Sequence, residues 1–117
     1  MEEKAEAKML EITNISIVEP KKKSTISIHI PNLDSAIKYD AFTETVSGKK
    51  WIVIKMKPAV NKVEKPVKFD SSFVGNVLVE EDKKEKDTVL VKIEQLKPAR
   101  FHVTKEKSSL TVTLKHQ

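Results

Sequence analysis

From Met9 onward the dominant period of the apolar side chains is two, and that period excludes most folds. Ser24 to Ile30 shows it most cleanly, with Ile26, Ile28 and Ile30 on one side and Thr25, Ser27 and His29 on the other. Successive side chains of a strand point to opposite faces, so a period of two predicts a strand buried on one face. Val89, Val91 and Ile93 repeat the pattern, as do Phe101 and Val103. Leu110, Val112 and Leu114 repeat it once more against Thr111, Thr113 and Lys115. Leu10 and Ile12 also alternate, but Ile15 and Ile17 resume one residue out of phase. The strand is therefore expected to bulge or bend at Thr13-Asn14. No window of a dozen residues carries a helical period with caps at both ends, and Asp34 to Lys38 holds signals for one helical turn at most.

Turn signals divide these runs. Pro20-Lys21-Lys22-Lys23, Pro31 to Ser35, Ser47-Gly48 and Lys97-Pro98-Ala99 each break a strand, and glycine at Gly48 tolerates the positive φ of a tight hairpin. Glu81 to Asp87 is mixed in sign and reads as a solvated hairpin tip. Ile37 to Val46 places Ile37, Tyr39, Ala41, Thr43 and Thr45 on one face. Lys50 to Met56 carries the apolar run Trp51-Ile52-Val53-Ile54 and is expected to be a central strand buried on both faces. Lys57 to Pro66 reads as a crossover loop, and further strands are expected at Val67–Phe69 and Phe73–Glu80. The sum is an all-β chain of about seven to nine short strands, a sandwich or a small barrel. At 117 residues the chain fits one domain, expected over 9–117 behind a disordered, charged lead-in at 1–8.

Composition narrows the function. With no cysteine there is no disulfide framework, thiolate nucleophile or cysteine zinc site. Gly48 and Gly75 are the only glycines, too few for a phosphate-cradling loop. The net charge of +5 is carried almost wholly by lysine, Arg100 being the only arginine. Lysine is a point charge without the bidentate geometry of specific nucleic-acid readers, so the surface reads first as general solvation. No run approaches the ~18 apolar residues of a membrane span. Met1 to Lys8 has no apolar core, so it is not a signal peptide. The chain is then either cytoplasmic or a fragment of an exported protein.

The chemistry-bearing residues give no catalytic constellation. A strand pairing could set His29 beside His102, but otherwise both read as solvent-face histidines, and His116 lies at the C-terminal end. Glu80, Glu81 and Asp82 sit at a wet, cationic hairpin tip, unlike the two carboxylates of a glycosidase cleft. Lys49-Lys50-Trp51 and Arg100-Phe101-His102 superficially resemble the basic–aromatic platforms of OB-like nucleic-acid binders. Both aromatics are nevertheless expected to face inward. No catalytic residue, metal ligand or cofactor is expected. The outward positions Thr25, Ser27, His29, His102, Thr104, Thr111, Thr113 and Lys115 suit hydrogen bonding to an extended polar ligand such as a glycan. Threonine is also simply a good strand surface residue.

The order of segments resembles the AMIN domain of type IV pilus secretins and N-acetylmuramoyl-L-alanine amidases. Leu10 to Ile17 is similar to that family's opening "I-x-x-I-x-V" strand, and Ser24 to Ile30 to its "V-x-I-x-F" strand. Tyr39-Asp40-Ala41-Phe42 with Trp51-Ile52-Val53-Ile54 resembles "Y-x-x-F … R-I-V-I-D-L". Phe73-Val74-Gly75-Asn76-Val77 resembles the segment before the family's second hairpin. Thr88 to Ile93, Pro98 to Val103 and Ser109 to Leu114 resemble "V-R-V-V-x-D-L", "P-x-x-Y-x-V" and "L-x-I-x-L". The resemblance spans residues 9–115, mostly through strand periodicity. The chain departs from the family in having Gly48-Lys49-Lys50 before the central strand and Val77-Leu78-Val79-Glu80 where an arginine is usual. Lys50, Lys92 and Arg100 are the cations left to take the place of those arginines.

The resemblance implies a β-sandwich of two small sheets and a non-catalytic, periplasmic targeting module. Such a module binds peptidoglycan and localises a larger envelope protein, with Lys50, Lys92, Arg100, His102 and His29 as candidate ligand-binding residues. Docking of protein partners within a pilus or secretion complex, through an exposed edge strand, is the alternative. An OB-like nucleic-acid binder comes third, although no nucleic acid is expected as a partner.

Overall fold

The structure is a computed structural model that describes residues 10–19, 23–31, 33, 38–63, 71, 73–97 and 99–116. The lead-in at 1–8, the helical-turn signal at 34–37 and the strand expected at 67–69 lie outside the described residues. Among the described residues ten strands follow one another: β1 (Leu10–Ile12), β2 (Asn14–Val18), β3 (Lys23–His29), β4 (Lys38–Val46), β5 (Lys49–Lys57), β6 (Ala59–Asn61), β7 (Val74–Glu81), β8 (Val89–Gln95), β9 (Ala99–Lys105) and β10 (Ser109–His116). No helix among the described residues is long and apolar enough to cross a membrane.

Two four-stranded antiparallel sheets form a small all-β sandwich, ordered β2-β3-β10-β9 and β4-β5-β8-β7. The alternating residues of the sequence build one core between them. Ile15, Ile26, Ile28, Leu110, Val112 and Leu114 come from the first sheet, and Ile52, Ile54, Met56, Val89, Val91 and Ile93 from the second. Each fully buried aliphatic side chain of this kind stabilises the fold by roughly 1.5–3 kcal/mol.

The phase slip at Thr13-Asn14 has a larger meaning than a bulge. On one side of it, β1 pairs in parallel with β6, Leu10 opposite Ala59 and Ile12 opposite Asn61. On the other side, β2 joins β3 antiparallel. Changing partners at Thr13 lets both Ile12 and Ile15 reach the core. The Lys57 to Pro66 segment is therefore not wholly a loop: Ala59–Asn61 forms β6, and Ala59 is buried. A three-residue parallel strand is too short to leave a periodic signal.

Two further expectations change. Trp51 faces away from the core, because Ile52, Ile54 and Met56 take the inward positions of β5. The doubly buried central strand survives as Val53, which is 1% exposed yet stands on the outer side, apart from the core cluster. In β4, Tyr39, Ala41 and Thr43 do face the inner side, opposite Met56, Ile54 and Ile52, but all three are exposed. The inner side of this edge strand is exposed along its length.

Candidate binding face

Inward isoleucines fix what lies outward. Because Ile26 and Ile28 of β3 and Leu110, Val112 and Leu114 of β10 enter the core, the residues between them form the outer face of the first sheet. Register then sets them in rows across the four strands. Ser16, Ser27, Thr111 and Thr104 make one row, and Val18, Thr25, Thr113 and His102 the next. Asn14, His29 and Ser109 make a third. Neighbours within a row stand about 4.8 Å apart, and successive rows about 6.7 Å apart. The result is a lattice of hydroxyl and imidazole groups, each able to donate and accept hydrogen bonds, in which Thr113 is buried, Ser16, Thr25, Ser27, His29 and Thr111 are half-buried, and His102 and Thr104 are exposed. His29 Nε2 shares a hydrogen bond with Ser16 Oγ at 3.0 Å, which fixes the ring within this lattice.

At one end of the face Lys23, Lys115 and Arg100 stand side by side. Like charges directly opposite one another on neighbouring strands are unfavourable, and an anion laid across them relieves the repulsion. The sequence places Lys23 in the first turn, but in the structure it opens β3 and so enters this row. The lysine run Lys21-Lys22-Lys23 gives no sign of where the turn ends, so only register could reveal it.

Three of the five candidate residues, Arg100, His102 and His29, thus share one face. The two histidines do not form a pair. His29 lies opposite Ser109 and His102 opposite Thr113, on either side of β10 and offset by four residues, about 13 Å along the strand. No group of three or more metal-ligating side chains occurs among the described residues.

Lys92 and Lys50 lie elsewhere. Lys92 is on the outer face of the second sheet, paired with Glu80 at 3.2 Å and Glu44 at 4.0 Å. On that face the β7–β8 tip also folds back onto β5, where Glu85 pairs with Lys55 and, at 3.4 Å, with Lys57. The hydrogen bond to Glu85 holds the Lys55 ammonium above the usual lysine range. Lys55 and Lys57 in turn hold the Glu85 carboxyl below the usual carboxylate range. Asp82 is held low by the backbone N–H of Lys84, which donates to Oδ1 at 2.8 Å.

Lys50 borders an open cleft of about 330 Å³ beside the β4–β5 turn, with Lys49, Glu94, Gln95 and Lys97. Glu94 is buried there and already occupied: Oε1 accepts hydrogen bonds from the Asn76 N–H and Nδ2, each at 3.1 Å, and Lys49 lies 3.8 Å from Oε2. The side-chain amide of Gln95 is buried without a hydrogen-bond partner. Trp51 and Phe101 do not form a stacking platform: Phe101 packs against the core from the first sheet, and Trp51 stands on the outer side of the second. Compared with known proteins, the sequence matches no family model and no curated protein.

Proposed function

We propose that this chain is a non-catalytic module that binds peptidoglycan through the outer face of its first sheet and localises a larger envelope protein in the periplasm. One observation carries the reading: every hydroxyl and imidazole side chain singled out as a glycan contact falls on the same sheet face, beside a row of three cations. A glycan strand offers hydroxyls and amides to the Ser/Thr lattice. The peptide stems it carries offer carboxylates to Lys23, Lys115 and Arg100. The cationic contribution is screened over about 8–10 Å at physiological salt, so binding weakens as salt rises without vanishing.

Co-sedimentation of the purified domain with isolated peptidoglycan sacculi, at low and at physiological salt, tests this. Retention at both salts, lowered by Arg100→Ala or Lys115→Ala, supports wall binding. A domain that stays in the supernatant at both salts ends the proposal.

A second reading, docking of a protein partner within an envelope complex, is favoured by the outer edge of β4, which no strand among the described residues meets.

A further inference from the structure

The sandwich has four sheet edges, and three of them carry devices that discourage pairing. β2 is only five residues long. β9 places Arg100, His102 and Lys105 along its length. β7 is irregular between Val74 and Val77, and Asn61 Nδ2 donates at 3.3 Å to the Val79 carbonyl on its outer side. β4 is neither short nor irregular, and its charges, Lys38, Asp40 and Glu44, are mixed in sign rather than all cationic. It runs nine residues, Lys38–Val46, in unbroken register with β5, without proline, glycine or bulge. Tyr39, Phe42 and Val46 on it are 36%, 43% and 50% exposed. A long, regular, partly apolar edge of this kind is a template for another strand.

The turn identifies which backbone groups are on offer. Ser47 and Gly48 have φ of 52° and 79°, the two positive values of a type I′ two-residue hairpin. In such a hairpin the flanking pair, Val46 and Lys49, exchanges main-chain hydrogen bonds, and the pattern alternates from there. Glu44, Phe42, Asp40 and Lys38 therefore bond to β5. Tyr39, Ala41, Thr43 and Thr45 turn their N–H and C=O groups away from it, and among the described residues no strand meets them.

We infer that this edge pairs with the β4 of a second copy of the chain, antiparallel and centred on Ala41, to form a homodimer with one continuous sheet. Antiparallel pairing must bring outward-pointing backbone groups together, which leaves three central registers. Centring on Phe42 sets Asp40 against Glu44 of the second copy, twice, with like charges facing. Centring on Thr43 sets Asp40 against Val46 and Phe42 against Glu44, with no ionic complement. Centring on Ala41 sets Lys38 against Glu44 of the second copy at both ends, in the closer, non-hydrogen-bonded positions. It also lays Phe42 diagonally near its counterpart and brings Tyr39 opposite Thr43. About six main-chain hydrogen bonds form across the two-fold axis. The contact is small, so the dimer is a weak one that fills only at high concentration.

Sedimentation velocity over a concentration series into the millimolar range tests the inference, with folding of each variant checked by circular dichroism. The wild-type chain is expected to shift from monomer to dimer, and Ala41→Pro, which removes a central N–H, to stay monomeric. Lys38→Glu and Glu44→Lys each turn both ionic pairs into like-charge pairs, and each is expected to weaken the dimer about tenfold or more. An equimolar mixture of the two single variants is expected to dimerise again, because each then meets its complement at both ends. The double variant Lys38→Glu/Glu44→Lys is likewise expected to self-associate, which keeps the register testable should Glu44→Lys alone fail to fold. A wild-type chain that remains monomeric into the millimolar range overturns the inference. A dimer indifferent to Ala41→Pro, or a mixture that fails to recover, overturns it equally.

Discussion

The carboxylate of Glu94 occupies the space where a side chain on Gly75 would stand. A Cβ built on Gly75 would lie 2.6 Å from Glu94 Oε1 and 3.0 Å from Leu96 Cδ2. Gly75 sits in the irregular stretch of β7, where the ladder to β8 skips between Val74 and Val77. Glu94 reaches across that gap to take the Asn76 N–H. Close approach, rather than an unusual φ, is what a side chain here would disturb, since Glu94 would have to shift to admit it.

Gly75→Ala is accordingly expected to push Glu94 off Asn76 and to destabilise the domain by about 1–3 kcal/mol. Urea unfolding followed by circular dichroism measures this. Glu94→Gln keeps the acceptor and is expected to be much milder, so the pair of variants separates the steric effect from the charge.

Gln95 presents the opposite case, a buried amide with nothing to bond. Leaving such a group unsatisfied costs about 1–3 kcal/mol, and an apolar replacement of similar shape recovers part of it. Gln95→Met is expected to raise the unfolding midpoint in the same urea assay. An unchanged or lowered midpoint would mean that the amide is satisfied in solution.

Stability is expected to fall at both ends of the pH scale through the Lys55–Glu85 contact. Glu85 and Asp82 titrate below the usual carboxylate range in the folded protein, so the unfolded chain takes up their protons first as pH drops. Their contribution is complete above about pH 4.3 and is lost as pH falls through the folded values. Lys55 titrates above its usual range, so its contribution is complete below about pH 10.4 and is lost as pH rises past the folded value. All three groups are solvent-screened and the losses are small. Thermal melts from pH 3 to pH 11, with Glu85→Gln as control, should show both shoulders in the wild type and lose the alkaline one in the variant.

In the wall-binding assay, Lys92→Ala and Arg100→Ala are expected to behave differently. Arg100 and His102 share the outer face of the first sheet, whereas Lys92 is held between Glu80 and Glu44 on the second. Arg100→Ala and His102→Ala should each lower retention on sacculi, and Lys92→Ala should leave it unchanged. Equal losses from all three would point to non-specific attraction by net charge.

Most of the fold is legible in the chain because a half-buried strand writes its own period. Ile26, Ile28, Leu110, Val112 and Leu114 each occupy the side their spacing assigns, and the polar residues between them form the outer face of the first sheet. What the chain conceals depends on partners far away in sequence. Trp51 and Ile52 are both apolar, so local pattern cannot say which of the two faces in. The outward position of Trp51 follows only from the register of β5 against β8. Lys50 and Lys92 could not be sorted from Arg100 for the same reason: sharing a charge says nothing about sharing a sheet. The exposure of Tyr39 on the inner side of β4 likewise depends on what the opposite sheet covers, a property of the whole assembly and not of its nine residues.

The position of β10 shapes how the protein comes into being. The last of the described strands in chain order lies between β3 and β9, in the middle of the first sheet. Until residues 109–116 have left the ribosome, β3 has only β2 beside it, and Ile26 and Ile28 face water across an open edge. Such long-range pairings close slowly. For that interval the nascent chain is a half-built sheet with exposed isoleucines, the form most open to chaperones, proteases and aggregation. A stop codon or frameshift just before Ser109 would make that interval permanent.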